Sequence, residues 1–294
     1  MRINTNVASL NAQESATKTN SNLSSSLEKL SSGLRINKAS DDASGLAIAD
    51  KLRTQASSIG QGISNANSAV SLTQIADKAM GEESNILDII KTKLLQASTA
   101  TTSSAGRDAI AKDVNKLLDQ IDNIASQTNY NGISLLQASS AGLGVTSALT
   151  FQTGETSTDT IVTAGSVQAN VTGLGLTSLG GIASNGGGSL TQANASALLS
   201  AANASAQLDE IDTALNTLNG WRADFGSTQN QLESATRNMM TQQTNIKAAE
   251  SVIRDVDYAA ESANFNKQNI ISQAGTYAMS QANSVQQNVL RLLQ

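Results

Sequence analysis

Residues 271–294 read ISQAGTYAMSQANSVQQNVLRLLQ. Within them Ala278, Ala282, Val285, Val289 and Leu292 recur at steps of 4, 3, 4 and 3, which sets them on one stripe of an α-helix. Gln, Asn and Ser fill most of the other positions. The stripe continues to the last residues, where domains commonly fray into polar sequence. A single helix of this length with small stripe residues is marginal in water, because nucleation is costly and little area is buried. The stripe therefore needs a partner.

The first residues offer one. Leu23, Leu27, Leu30 and Leu34 step by 4, 3 and 4, with Val7, Leu10 and Ala16 leading in. Two amphipathic ends, far apart in sequence, predict a pair of helices at one pole of the molecule. Neither has the apolar bulk of a core. The expectation is that they fold fully only when several copies meet, with Val7, Leu10, Leu23, Leu27, Leu30, Leu34, Ala278, Ala282, Val285, Val289 and Leu292 as the assembly stripes.

Composition points the same way. Only 39% of the 294 residues are hydrophobic, and aromatic residues number three Phe, three Tyr and one Trp. Leu, Ile, Val and Ala suit thin helical bundles better than a large round core. Proline, which breaks helix interiors, is absent, so very long helices are permitted. A net charge of −5 without a basic block argues against nucleic acid. Neither cysteine nor histidine occurs, which removes disulfides, thiolate sites and most metal or general-base chemistry. No metal and no cofactor is expected. No run reaches the roughly 18–20 apolar residues of a membrane span, so no membrane insertion is expected. The start, MRINTNVASL, lacks the apolar core of a secretory signal.

Taken in order, residues 1–34 predict a helix and Gly33 a break. Ser40-Asp41-Asp42 supplies capping side chains for a second helix over about Ala43–Gln96, roughly 80 Å of rod. Its stripe runs Leu52, Ala56, Ile59, Ile63, Ala66 and Val70, then shifts phase to Leu72, Ile75, Ala79 and Ile86. Gly60 and Gly62 weaken it unless close packing requires them. A third helix spans about Arg107–Gln127 on Ile110, Val114, Leu117, Ile121 and Ile124. From Asn129 to about Gly188 helical periodicity vanishes, and short runs such as Ser147–Gln152 and Thr160–Val162 predict a small, loose β-rich insert. Helix returns over about Leu190–Asn219 and breaks at Asn219-Gly220. Beyond it Leu232, Ala235, Met239, Gln242, Ile246, Ala249, Ile253 and Val256 keep coiled-coil spacing, Gln242 being the polar member. A softer zone follows near Asp255–Asn264. The layout is a near-palindrome. It predicts a mainly α fold: an elongated antiparallel helical bundle or coiled coil with a small β-rich outer insert.

Isolated charges give no chemistry. Asp41 and Asp42 read as helix caps, not an acid pair, and Asp113, Asp119 and Asp122 as a solvated helix face. Glu82, Glu83, Lys91 and Lys93 read as surface charges. The triplets at Asn170, Asn194 and Asn203 match a glycosylation pattern at chance level in so Asn-rich a chain. The glycines of 173–175 and 186–188 are loop punctuation, without a phosphate-loop lysine. No nucleophile–base constellation is present, so an enzyme is not expected.

Several stretches resemble the bacterial flagellins. Leu34-Arg-Ile-Asn37 followed by Ser40-Asp-Asp-Ala-Ser-Gly-Leu-Ala-Ile-Ala-Asp-Lys-Leu-Arg53 looks like their N-terminal signature, and Asn4-Thr-Asn-Val7 with Ser9, Leu10, Ala12 and Gln13 like their first residues. Gln127-Thr-Asn-Tyr-Asn-Gly132 with Leu135-Leu136 resembles the end of that region. Ile253-Arg-Asp-Val-Asp-Tyr258, Gln273-Ala-Gly275, Gln281-Ala-Asn283 and Asn288-Val-Leu-Arg-Leu-Leu293 resemble the C-terminal signature. The match covers roughly residues 1–138 and 190–294.

The resemblance implies a structural subunit that self-assembles into the flagellar filament for swimming. Such subunits are exported by the flagellar type III system and end up extracellular. It implies terminal helices at 1–43 and 257–294 in the filament's inner core, a long-helix bundle at 44–138 and 190–256, and a variable, surface-exposed insert at 139–189. It also implies a homo-oligomeric helical filament, with an export chaperone, the filament cap and hook-junction proteins as partners. The alternative is a hook–filament junction protein or another type III-secreted helical protein. Two departures stand out. Gln286 occupies a position where many flagellins have proline. Leu87-Asp-Ile-Ile-Lys-Thr-Lys93 replaces a motif read by Toll-like receptor five: Asp88 stands for its glutamine, Ile89 for its first arginine and Lys93 for its second leucine. Weak or no recognition by that receptor is expected.

Overall fold

The computed structural model describes residues 6–137, 148–163, 165, 167–180 and 201–292, with backbone alone at 201, 202, 286 and 289–292. The mainly α expectation holds. The described helices are α1 (Val7–Ser32), α2 (Ala43–Ser98), α3 (Ser104–Gln127), the single turn α4 (Thr177–Gly180), α5 (Ala201–Arg254) and α6 (Tyr258–Leu292). Two small antiparallel hairpins complete the elements, β1 (Asn129–Tyr130) with β2 (Ile133–Ser134), and β3 (Thr150–Gln152) with β4 (Thr160–Val162). The chain divides into a terminal unit, Met1–Ser57 with Gln242–Gln294, and a central unit, Ser58–Thr241.

In the central unit, α2, α3 and α5 close around one core. The α2 seam is Ala69, Thr73, Ala76, Met80, Glu83, Leu87, Ile90, Leu94 and Ala97, all buried, at alternating steps of 4 and 3. Of the predicted shifted stripe, Leu72 is buried and Ala79 and Ile86 pack against the core, but Ile75 is exposed. Polar Thr73 and Glu83 hold seam positions, so the register continues where an apolar count sees a slip. Thr73 satisfies its hydroxyl on the Val70 carbonyl at 2.8 Å. The α5 seam runs Ala204, Gln207, Ile211, Ala214, Leu218, Phe225, Thr228 and Leu232. Pairs Asp77–Arg222 at 3.0 Å and Lys91–Asp212 run in opposite directions along α2 and α5, as do Lys93–Asp113 at 2.9 Å and the Arg107 Nε donation to Ala97 O at 3.0 Å between α2 and α3. These helices are antiparallel.

The predicted break at Asn219-Gly220 does not occur, because α5 runs through it. A glycine costs a helix interior about 1 kcal/mol relative to alanine. The flanking buried Leu218 and Phe225 hold the turn by more than that.

The insert is anchored more firmly than expected. Val167, Ala169, Val171, Leu174, Leu176 and Leu179 are buried in the same core, beside Leu135 and Leu136. The Ala169 N–H donates to Leu136 O at 2.7 Å, and the Val171 N–H to Asp122 Oδ1 at 2.9 Å. The β3–β4 hairpin lies directly on α2. Asn65 Nδ2 donates to Gln152 O at 3.0 Å, and a Cβ on Gly62 would stand 2.1 Å from Thr153 O. Gly62 is thus one of the glycines that close packing requires. The segments 138–147 and 181–200, with the glycines of 186–188, the Asn194 triplet and the start of the Leu190 helix, lie outside the described residues.

In the terminal unit α1 and α6 pair along their length. Asn6 caps α1 by accepting the Ser9 N–H at 3.1 Å and donates to Ala282 O at 3.2 Å. Ser272 donates to Asn20 at 3.0 Å, and Ser26 to Glu261. The pairing is antiparallel. Gly33 ends α1 in the left-handed region, φ 74°, its N–H returning to Lys29 O at 2.9 Å. A two-stranded clasp follows. Arg35 N–H donates to Arg254 O at 2.7 Å and Val256 N–H to Gly33 O at 3.0 Å, around the Leu34–Asp255 bridge. The predicted soft zone shrinks to three residues, since α6 starts at Tyr258 with Asp257 accepting the Ala259 N–H at 2.9 Å. On the part of α5 within this unit the half-buried positions are Gln243, Ile246, Glu250, Ile253 and Arg254. Gln242 is exposed, and it is Gln243 that reaches across, donating to Ala56 O at 3.0 Å.

Candidate assembly surface

The seam between α1 and α6 is built mostly from small and polar residues, with Leu23, Leu30, Phe265 and Met279 as its half-buried bulk. On α6 the half-buried positions Glu261, Phe265, Gln268, Ser272, Gly275, Met279 and Ala282 alternate at steps of 4 and 3. On α1 they include Ser9, Ala12, Ala16, Leu23 and Leu30, with Thr19 and Ser26 buried. Small residues let the backbones approach, and a Cβ on Gly275 would sit 4.0 Å from that of Ala16. Other bulk points elsewhere: Val7, Leu10, Leu27 and Val285 are 51% to 58% exposed, Ile270 68% and Tyr277 75%.

The assembly stripes therefore divide. Val7, Leu10, Leu27, Ala278 and Val285 face outward. Leu23, Leu30, Leu34 and Ala282 are half-buried on the intramolecular side. The side chains of Val289 and Leu292 lie outside the described residues. Sequence reading missed Ile270, Ile271 and Tyr277 as exposed bulk because they precede or interleave the stripe it followed. Their contrast with neighbouring Ser272 and Gly275 was the available signal.

The acidic candidates have structural partners. Asp42 caps α2, accepting the Gly45 N–H at 2.9 Å. The backbone N–H groups of Lys38 and Asn37 hold the Asp41 carboxyl below its ordinary range. Asp113 pairs with Lys93, and Asp122 anchors the insert through Val171. Among the described residues no three acidic side chains gather into a cation site. Asn170 is half-buried, its side chain accepting the Gly173 N–H at 2.7 Å within a turn. The reading of Glu83 as a surface charge is overturned: it is 0% exposed and its carboxyl pKa is pushed up to about 8, by burial first and by the Asp122 charge second. In the altered receptor stretch, Asp88 and Ile89 are exposed on α2 while Lys93 is engaged by Asp113.

Two family models match the chain, the bacterial flagellin N-terminal helical region over residues 3–141 and the C-terminal helical region over residues 208–293. The chain belongs to the bacterial flagellins. It is 37% identical over 309 aligned residues to a flagellin of Bacillus subtilis, the alignment covering 100% of both chains. It is 35% identical over 298 residues to a flagellar filament core protein of Treponema maltophilum, again covering 100% of each. A putative flagellar hook-associated protein from Vibrio parahaemolyticus shares the fold, with TM-score 0.56 at 14% identity over 73% of this chain and 99% of that one. As a flagellin the chain is a structural subunit of the extracellular filament, and subunits of this family polymerise with their own kind. Among the described residues no helix is long and apolar enough to cross a membrane.

Proposed function

We propose that this flagellin joins the filament through the outward faces of α1 and α6. The supporting observation is how the helix pair divides its bulk: the inner seam is mostly small and polar, with only Leu23, Leu30, Phe265 and Met279 half-buried in it, while Val7, Leu10, Leu27, Ile270, Tyr277 and Val285 stand in solvent. Each such side chain contributes about 1.5–3 kcal/mol when fully buried. Repeated at every subunit contact, that is enough to drive polymerisation once a seed has met the entropy of association.

In this reading residues 1–43 and 257–294 form the inner core, residues 44–138 and 190–256 the surrounding layer, and the insert within residues 139–189 turns its solvent side outward while the apolar residues of 167–179 pack into the core of the central unit. Exposed apolar termini also need shielding before assembly. That supports partnership with an export chaperone, and with the filament cap and hook-junction proteins at the two ends of the polymer. Purified subunits added to filament seeds and imaged by electron microscopy test it. The full chain should grow long filaments and a chain lacking residues 271–294 none. Growth of both would overturn the role given to α6.

The same reading includes weak recognition by Toll-like receptor five. Ile89 presents an aliphatic surface where an arginine fork is required, and Asp88 a negative charge. Monomer applied to receptor-bearing reporter cells should give little signal. Strong signalling at sub-nanomolar dose would refute this.

A further inference from the structure

Glu83 occupies a seam position between Met80 and Leu87 that ordinarily takes an apolar side chain. It is fully buried, and neither carboxyl oxygen has a hydrogen-bond partner among the described residues. A buried carboxylate without partners is strongly disfavoured and takes up a proton instead.

Among the described residues no cation is bonded to Glu83. On α2, Asp77 and Lys91 are bonded to Arg222 and Asp212 of α5, and Glu82, Lys78 and Asp88 are exposed. On α5, residues 214–221 carry no ionisable side chain, nor do residues 167–179 of the insert. On α3, Lys116, Asp119 and Asp122 are all exposed; of these Asp122, a like charge, acts on Glu83, second to the burial itself. Asp122 is itself the anchor of the insert, accepting the Val171 N–H at 2.9 Å.

We propose that Glu83 is a proton-operated latch of the central unit. As the neutral acid it stays in the seam. Stripped of its proton it repels Asp122, loosening the α2–α3 contact and the insert segment tied to it. The filament lies outside the cell, so the proton comes from the medium.

Folding raises this carboxyl from its ordinary 4.5 to about 8, so the native state keeps a proton that the unfolded chain has released. Stability from this group therefore declines as pH rises from about 4.5 to about 8 and is level beyond. Across that range the unfolding equilibrium constant rises roughly a thousandfold.

The test is denaturant unfolding of the full chain, followed by fluorescence of its one tryptophan, Trp221, which packs against the same core. Wild type and Glu83→Gln are compared from about pH 5 to about pH 9. The wild-type midpoint should fall relative to that of Glu83→Gln as pH rises. Asp122→Asn keeps an oxygen for Val171 but removes the like charge, so it should move the wild-type decline to lower pH, which a purely structural glutamate would not do. Parallel curves for wild type and Glu83→Gln would overturn the proposal. If Glu83→Gln does not fold, infrared spectroscopy of glutamate-labelled wild type decides. A protonated carboxyl band persisting at neutral pH supports the latch, and its absence refutes it.

Discussion

The terminal and central units use the same heptad spacing to opposite ends. Among the described residues, the ten largest fully buried side chains, from Met80 to Leu179, all lie in the central unit. In the terminal unit the buried apolar residues are Ile36, Ala49 and Ala56, while Val7, Leu10, Leu27, Val252, Ile270, Tyr277 and Val285 are exposed. One unit turns its apolar stripe inward around a third helix and the insert. The other pairs two helices largely through serine, alanine, glycine and asparagine, half-buries Leu23, Leu30, Phe265 and Met279, and leaves much of its apolar bulk outside. Monomer stability therefore resides in the central unit, and the apolar surface still open to solvent resides in the terminal one.

Paired truncations sharpen that contrast most. Leu94→Ala, at a fully buried seam position, should lower monomer stability by about 2–5 kcal/mol in denaturant titration. Leu27→Ala, at an exposed position, should change it by less than about 0.5 kcal/mol. It should still raise the subunit concentration needed for seeded growth roughly tenfold, through lost burial between subunits. Equal stability losses in the two variants would break the comparison.

Two glycines of the central unit give smaller effects of opposite sign. Gly62→Ala drives a methyl group against the Thr153 carbonyl and should cost about 1–3 kcal/mol in thermal unfolding as the β3–β4 hairpin is displaced. At Gly220 an added Cβ meets nothing within 4 Å, and α5 is helical there. Gly220→Ala should stabilise by about 0.5–1 kcal/mol.

The helices were legible wherever apolar residues kept period, as in α3 and along Leu52–Val70. The cap of α2 was legible too, because Asp42 is a short acceptor placed just before an apolar run, whereas the caps Asn6 and Asp257 emerged only in the structure. Reading failed where a polar residue took an inward position. Thr73 and Glu83 disguised the α2 register, and Gln242 was chosen over Gln243 because the spacing tolerates either. The insert reads as loose from sequence because its apolar residues alternate by two over Val167, Ala169 and Val171 and then turn. A search for helical periodicity passes over that pattern.

The amino-acid order alone determined that this protein is helical, proline-free, ended by two matching stripes and similar in its motifs to the flagellins. Those properties live in local periodicity, and nearest neighbours along a helix are set by sequence spacing. Which side of each stripe faces a neighbour, that Glu83 is buried in the α2 seam, and that Gly62 admits a hairpin were decided only by tertiary packing. A stripe about 100° wide offers two or three neighbouring registers of similar hydrophobicity. Small differences in backbone approach, at Gly275 against Ala16 or Gly62 against Thr153, select among them.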